Sequence, residues 1–282
     1  MITESTFVRH VECEACGSSD ATSEYTDGHL FCHSCQAYTP STSHAEKEGN
    51  TDMSSSNVSQ LSPPQRPQTA PQVIGFVSAL KDRAISKDTC DKYGVRVVAD
   101  GHGDIVKHVY PYFDKVGRLV SNKIRHTADK SFEAAPVGSL GFGTLFGQQT
   151  CQQGGKYITI CEGELDAMSA YEMMGSKWPV VSIKDGAASA VKNCKSNYDF
   201  LNSYANIVIC FDMDEHGKKA AQQVAELFEP NKCKITSLDL KDANEYIKAS
   251  RKEDFVKAWW AARVYTPAGI INLKDYGDAL FD

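Results

Sequence analysis

The stretch FDMDEHGKKA, residues 211–220, places Asp212, Asp214 and Glu215 within four positions, directly after the apolar run NIVIC. Carboxylates this close repel one another and push each other's pKa upward unless a positive charge lies between them. Two more acidic positions end apolar runs in the same way. Glu162 follows KYITIC, and Asp242 comes just after KITSLDL. A hard cation resolves such a cluster, and magnesium takes oxygen ligands, usually one or two carboxylates plus waters and substrate phosphates. The implied chemistry is metal-assisted work at a phosphate. Asp-x-Asp alone is a common solvated turn; the set of Glu-Gly-Glu, Asp-x-Asp and Lys-Asp-Ala-Asn is far more specific. Glu164 and Asp166 have a simpler explanation, favourable interaction with a helix N-terminus, and Glu215 reads as a solvated helix start.

The elements around these acids alternate regularly from Lys156. KYITIC, PVVSI, NIVICF and KITSLDL read as strands. LDAMSAYEMMG, AASAVKNCKSNYDFL, GKKAAQQVAELF and most of DANEYIKASRKEDFVKAWWAARV read as helices. Such alternation predicts a mostly parallel sheet with helices on both faces. In an open parallel sheet, ligands bind beyond the carboxyl ends of the strands, so Glu162, Asp212, Asp214 and Asp242 converge on one edge. The preceding segment, residues 73–150, reads as a mixed α/β subdomain. SALKDRAISKDTCDKYGV is helix–turn–helix-like, and VRVVAD, DIVKHVYPYFD and LVSNKIRHT are short strands. The small-residue turn DGAAS, residues 185–189, suits close approach to a phosphate.

A second constellation lies near the N-terminus. Cys13-x2-Cys16 and Cys32-x2-Cys35 are separated by fifteen residues, the spacing of a structural zinc site with four thiolates. Four thiolates leave no open position for catalysis. Two disulfides are the competing reading, disfavoured in a reducing compartment. A stretch as short as 8–40 has too little core to fold without such a staple. Between the knuckles, His29 and its aromatic neighbours suit stacking on single-stranded bases, although Phe31 reads better as packing around the metal. Residues 41–72 are rich in Ser, Thr, Gln and Pro and form a flexible linker with a typical reach of about 30 Å. The expected organisation is therefore a ribbon at 8–40, a linker at 41–72, a mixed subdomain at 73–150, an acid-bearing sheet at 151–265 and a tail at 266–282.

Whole-chain properties narrow the function. Among 282 residues the net charge is −6, unlike a dedicated nucleic-acid binder, so contact with nucleic acid must use local patches or metal ions. SNKIRHTADK is one such patch, with Lys123, Arg125 and Lys130 within eight residues. No apolar run approaches the roughly 18–20 residues of a membrane span, no signal peptide opens the chain, and the six scattered cysteines look like small core residues. The expectation is a cytoplasmic protein without a membrane partner. No G-x4-G-K-[ST] occurs, which excludes an ATP-driven motor of the P-loop kind.

CEGELDAMSA, FDMDEHGKKA and KDANEY resemble the Toprim domain, and their order and spacing are similar to the primase half of the T-seven-type phage primase–helicases. DGHLFCHSC and SNKIRHTADKSF fall where that family has its counterparts, so the resemblance covers roughly residues 8–265. It implies a DNA-dependent RNA primase making short primers on single-stranded DNA for lagging-strand replication. It further implies one structural zinc, one or two catalytic magnesium ions, ribonucleoside triphosphates as substrates, and a replicative helicase and a DNA polymerase as partners in a bacterial host cell. By the same resemblance Glu162 is the catalytic Toprim glutamate, Asp212 and Asp214 the metal-binding pair, and Asp242 a further acid at the metal. Lys123, Arg125 and Lys130 contact nucleotide phosphates or template, and His29 reads the template. The tail suits the start of a linker to a helicase domain. Two other readings stay open: a Toprim magnesium-dependent nuclease or topoisomerase-like enzyme, and a non-catalytic zinc plus Toprim DNA-binding module.

Overall fold

The computed structural model describes residues 6–12, 22–32, 38–39 and 71–267. Cys13, Cys16, Cys35, residues 41–70 of the expected linker and the tail from 268 lie outside the described residues. The chain divides into two compact units, Met1–Ser62 and Pro63–Asp282.

The N-terminal unit carries an antiparallel sheet of β1 (Phe7–Val11), β2 (Thr22–Tyr25), β3 (Leu30–Cys32) and β4 (Tyr38–Thr39), in that order. The β2–β3 hairpin turns at Gly28, whose φ of 84° a side chain would resist. Cys32 ends β3 opposite Thr22 and is buried.

The second unit opens with α1 (Lys87–Tyr93). The Ser86 side chain caps it by accepting from the Thr89 amide, and Gly94 closes it in the left-handed conformation. The expected helix–turn–helix is thus one helix preceded by a single 3-10 turn at Lys81–Arg83, because Ala84 turns left-handed (φ 54°) and ends that turn. An antiparallel sheet follows, β5 (Arg96–Ala99), β6 (Ile105–Phe113), β7 (Leu119–His126) and β8 (Phe132–Ala135), in sequence order. Three of these strands match the expected ones. The edge strand β8 has only four residues and no alternation, so its sequence gives no strand signal.

The third sheet has the order β10-β9-β11-β12-β13. Its strands are β9 (Gly155–Cys161), β10 (Val180–Ser182), β11 (Tyr204–Cys210), β12 (Cys233–Ile235) and β13 (Arg263–Val264). The first four run parallel, and β13 adds an antiparallel edge. Its helices are α2 (Glu164–Met173), α3 (Ala190–Ser196), α4 (Tyr198–Asn202), α5 (Glu215–Ala225), α6 (Ala243–Lys248) and α7 (Lys252–Trp260). Strand side chains alternate between two cores, as a period of two requires. Ile158, Ile160, Ile207 and Ile209 pack with α3, α4 and α5. Cys161, Val208 and Cys210 pack with α2, α6 and α7, and that core continues into Tyr110, Tyr112 and Phe146 of the antiparallel region. The buried Trp259 indole donates to the Thr159 hydroxyl (2.9 Å), fastening α7 to β9. The expected mostly parallel sheet, covered by helices on both faces and joined to a mixed subdomain, is borne out.

KITSLDL forms less strand than expected, because β12 stops at Ile235. The chain then turns across the carboxyl end of the sheet, and the Met213 amide donates to the Lys241 carbonyl (2.8 Å). This strap returns Asp242 to the neighbourhood of Asp212.

Candidate active site

A cleft of about 940 Å³ opens between the carboxyl ends of the parallel strands and the β7–β8 side of the antiparallel sheet. The acids Glu162, Glu164, Asp166, Asp185, Asp212, Asp242 and Glu245 line it, together with Lys123, Arg125 and Lys130. The convergence follows from register. Cys161 of β9 pairs with Cys210 of β11, so the two strands end level; Glu162 follows β9 directly and Asp212 follows β11 after Phe211, which brings both acids to the same end of the sheet.

Glu162 is held rigidly and left incomplete. Its Oε1 accepts from the Ala187 amide (3.2 Å), in the DGAAS turn, where Gly186 adopts φ 73°. Its Oε2 is buried without a hydrogen-bond partner. Burial raises the Glu162 carboxyl, and the Asp212 charge raises it further. Burial likewise raises Asp212, against the pull of Lys241, whose ammonium stands 3.2 Å from Oδ2. Asp166 is pushed well above the usual carboxylate range by burial and then by Asp242 and Asp212, although its Oδ1 accepts from the Asn244 amide (3.0 Å).

The two remaining predicted acids serve as helix caps. Asp242 lines the cleft while its side chain accepts from the Glu245 amide at the start of α6 (2.9 Å). Asp214 is exposed and caps α5 through the Gly217 amide (2.8 Å). It does not line the cleft with Asp212, because α5 begins at Glu215 and turns it outward. Its charge still reaches the site, where it raises both Glu162 and Asp212. Among the described residues, no group of three His, Cys, Asp or Glu side chains is already arranged to hold a metal ion. The donors are of the right kind for a hard divalent cation: they are all oxygens, burial and mutual repulsion raise the pKa of several, and Glu162 Oε2 is an orphan. The Lys241 ammonium supplies the nearest positive charge.

The basic wall is partly spoken for. Lys123 donates to Glu164 Oε1 (2.7 Å) and to the Lys184 carbonyl (2.5 Å). Glu164 also accepts from the Tyr112 hydroxyl (2.6 Å) and is buried. Arg125 is half-buried, and its Nε has no hydrogen-bond partner. Lys130 is exposed at the cleft mouth with a left-handed φ of 61°. On the N-terminal unit, the His29 ring stacks on Tyr25 (4.2 Å, 10° between planes), and its Nδ1 lies 2.6 Å from Asp27 Oδ1.

Comparison with known proteins agrees with this architecture. Residues 159–247 match the Toprim-like family, and residues 75–136 match the N-terminal α+β fold of the bacteriophage T7 DNA helicase/primase. The chain is 34% identical over 275 residues to the DNA helicase/primase of Enterobacteria phage T3, covering 96% of this chain and 47% of that relative. It thus spans about half the length of that curated relative. It aligns with the crystal structure of the primase fragment of the bacteriophage T7 primase-helicase protein at a TM-score of 0.61 and 33% identity, covering 90% of this chain and 99% of that one. The chain belongs to the T7-type phage primase–helicase family, as its primase half. A further similar structure, at a TM-score of 0.59 and 35% identity, covers 68% of this chain and 94% of that one. It is of the T7 lagging-strand DNA polymerase interacting with primase domains bound to an RNA/DNA hybrid and dTTP.

Within this Toprim architecture, sequence reasoning missed several residues that shape the site. Lys241 is one of them, although KDAN sets this cation directly before Asp242. Tyr112 gives no signal, because its hydroxyl matters only once β6 meets α2. Gly217 could have been found. A glycine inside a helical pattern costs about 1 kcal/mol relative to Ala and so asks for a packing reason. A Cβ there would stand 2.3 Å from the Asp212 carbonyl oxygen. Among the described residues no helix is long and apolar enough to cross a membrane.

Proposed function

We propose that this chain is a DNA-dependent RNA primase that joins ribonucleotides into short primers on a single-stranded DNA template. The single observation that supports it best is the cleft itself, where Glu162 and Asp212 follow level strand ends and share the lining with Lys123, Arg125 and Lys130. The names of the relatives, a helicase/primase and a primase fragment, point the same way.

The reaction joins the 3′-hydroxyl of one nucleotide to the α-phosphorus of the next triphosphate, and pyrophosphate leaves. Magnesium bound at the acid edge would supply charge neutralisation and orientation for that displacement. Glu162, Asp212 and Asp242 would hold it, with Asp214 adding charge from the α5 cap. Glu162 would orient the metal site or accept the proton released by the attacking hydroxyl. Lys130 and Arg125 would orient the triphosphate, while Lys123 positions the wall through Glu164. Cys13, Cys16, Cys32 and Cys35 would hold one structural zinc, and His29, stacked on Tyr25, would present a ring edge to a template base. A replicative helicase and a DNA polymerase are the proposed partners, in the cytoplasm of a bacterial host.

The deciding experiment incubates the full chain with single-stranded DNA of varied sequence, the four ribonucleoside triphosphates and magnesium. Template-dependent oligoribonucleotides are expected, and Asp212→Asn should abolish them while retaining DNA binding. Degradation of DNA without nucleotides would favour a nuclease. DNA binding without turnover, unaltered by Asp212→Asn, would favour a non-catalytic module.

A further inference from the structure

Phe132 stands out from the rest of the cleft wall. It is the first residue of the edge strand β8, it is 53% exposed, and it lines the cleft that holds Glu162 and Asp212. A large ring left in water forgoes the gain of burial, and Phe132 gains little in return as a support. The Lys123 ammonium lies 4.6 Å from its centroid and the Arg125 guanidinium carbon 5.8 Å. Lys123 is already fixed by Glu164 and the Lys184 carbonyl, so the ring is not needed to place it.

Register explains the grouping. Arg125 pairs directly with Phe132 across β7 and β8, and Lys123 sits two residues along β7, opposite Ala134. Directly paired residues, and those two apart on a strand, share one sheet face. An aromatic ring and two cations therefore stand side by side on the face that looks into the cleft. This is the pairing by which proteins hold nucleotides without reading their sequence, a π-surface for the base beside positive charge for the phosphates.

We infer that Phe132 is the stacking platform for the base of the ribonucleoside triphosphate, a positioning residue that sets nucleotide affinity and does not take part in the bond-forming step. The inference rests on the primase reading of the cleft. Because every base has a π-face, all four nucleotides should feel its loss similarly.

The test measures binding of magnesium–ATP and of tripolyphosphate, which has the charge but no base, to the full chain, together with KM and kcat for oligonucleotide synthesis. Phe132→Ala should weaken ATP binding and raise KM about tenfold, with kcat and tripolyphosphate binding changed less than about twofold. Phe132→Trp should keep ATP binding near wild type, because the replacement preserves a π-face for the base. Unchanged ATP binding in Phe132→Ala, equal loss of ATP and tripolyphosphate binding, or loss confined to single-stranded DNA binding would each overturn the platform while wild-type synthesis leaves the primase reading standing. A wild-type chain that makes no oligonucleotides and binds no ATP would overturn both.

Discussion

Gly217→Ala sets two effects against each other. Gly217 is buried in the first turn of α5, and its helical setting alone favours alanine by about 1 kcal/mol. The added Cβ, however, would stand 2.3 Å from the Asp212 carbonyl oxygen, 3.0 Å from its carbon and 3.1 Å from its nitrogen. These are backbone atoms at the end of β11, so no side chain can swing aside. Bringing the 2.3 Å contact to ordinary separation needs about 1 Å of movement, either of α5 away from the sheet or of Asp212 within the cleft. Overpacking of this kind typically costs about 1–3 kcal/mol, which exceeds the helix gain. The expected net loss is up to about 2 kcal/mol, a fall of a few degrees in Tm for a unit of this size. Catalysis should suffer more, because a displacement of about 1 Å at a reacting centre costs on the order of a hundredfold. Thermal unfolding and primer synthesis on the same preparation test this. A Gly217→Ala protein that is more stable than wild type and fully active would refute the reasoning, since it would mean the Asp212 backbone yields without consequence.

The other expectations concern charge. Glu162→Gln removes a carboxylate held above its ordinary pKa by burial and by Asp212. Such a raised acid binds a proton more tightly folded than unfolded, so in EDTA the wild-type fold should lose stability as pH rises from the ordinary carboxylate range towards neutrality. Glu162→Gln should flatten that decline and also lose the rise in Tm that magnesium produces; a decline as steep as wild type would remove Glu162 from the charge balance. Lys123→Met leaves the buried Glu164 without its cation, and breaking a buried pair costs about 3–5 kcal/mol. Adding Glu164→Gln should recover most of that loss in denaturant titrations, and additive losses would show that the two residues do not act as a pair.

Much of this was legible because the carboxyl end of a parallel strand is marked twice, by the end of an apolar run and by the onset of charge. NIVICF followed by DMDE, and KYITIC followed by EGE, carry both marks, and both strands lie where expected. Residues whose role depends on what a distant element brings up were illegible. Asp212 and Asp214 look equivalent in the sequence, yet one lines the cleft and the other caps α5. Asp-x-Asp predicts a common direction only while the chain stays extended, and α5 begins at Glu215, directly after Asp214. KITSLDL misled in the opposite sense. Its alternation is that of a strand, but after Ile235 the same residues serve as the strap that returns Asp242 to the site. Glu162 was found by its place in the pattern, whereas its orphaned oxygen arises from the DGAAS turn, which satisfies only one of the two.

The two lysines beside the acid cluster differ in a way that separates the roles of Glu162 and Glu164, which the sequence presents as a symmetrical Glu-Gly-Glu. The Lys123 side chain is 12% exposed and makes two hydrogen bonds, so its withdrawal would strand a buried carboxylate. The Lys241 side chain is 62% exposed against 16% for Asp212, so the ammonium can return to water on its flexible stem although the carboxylate cannot. Lys241 can therefore move aside when another cation neutralises Asp212, and Lys123 cannot leave Glu164. Positive charge at the acid edge is exchangeable at Asp212, next to the orphaned oxygen of Glu162, and fixed at Glu164. An incoming cation has one place to go. Glu164 therefore belongs to the framework, tying β7 to α2 through Lys123 and β6 to α2 through Tyr112. Its loss should weaken the wall that carries Arg125 and Phe132 before it touches the chemistry.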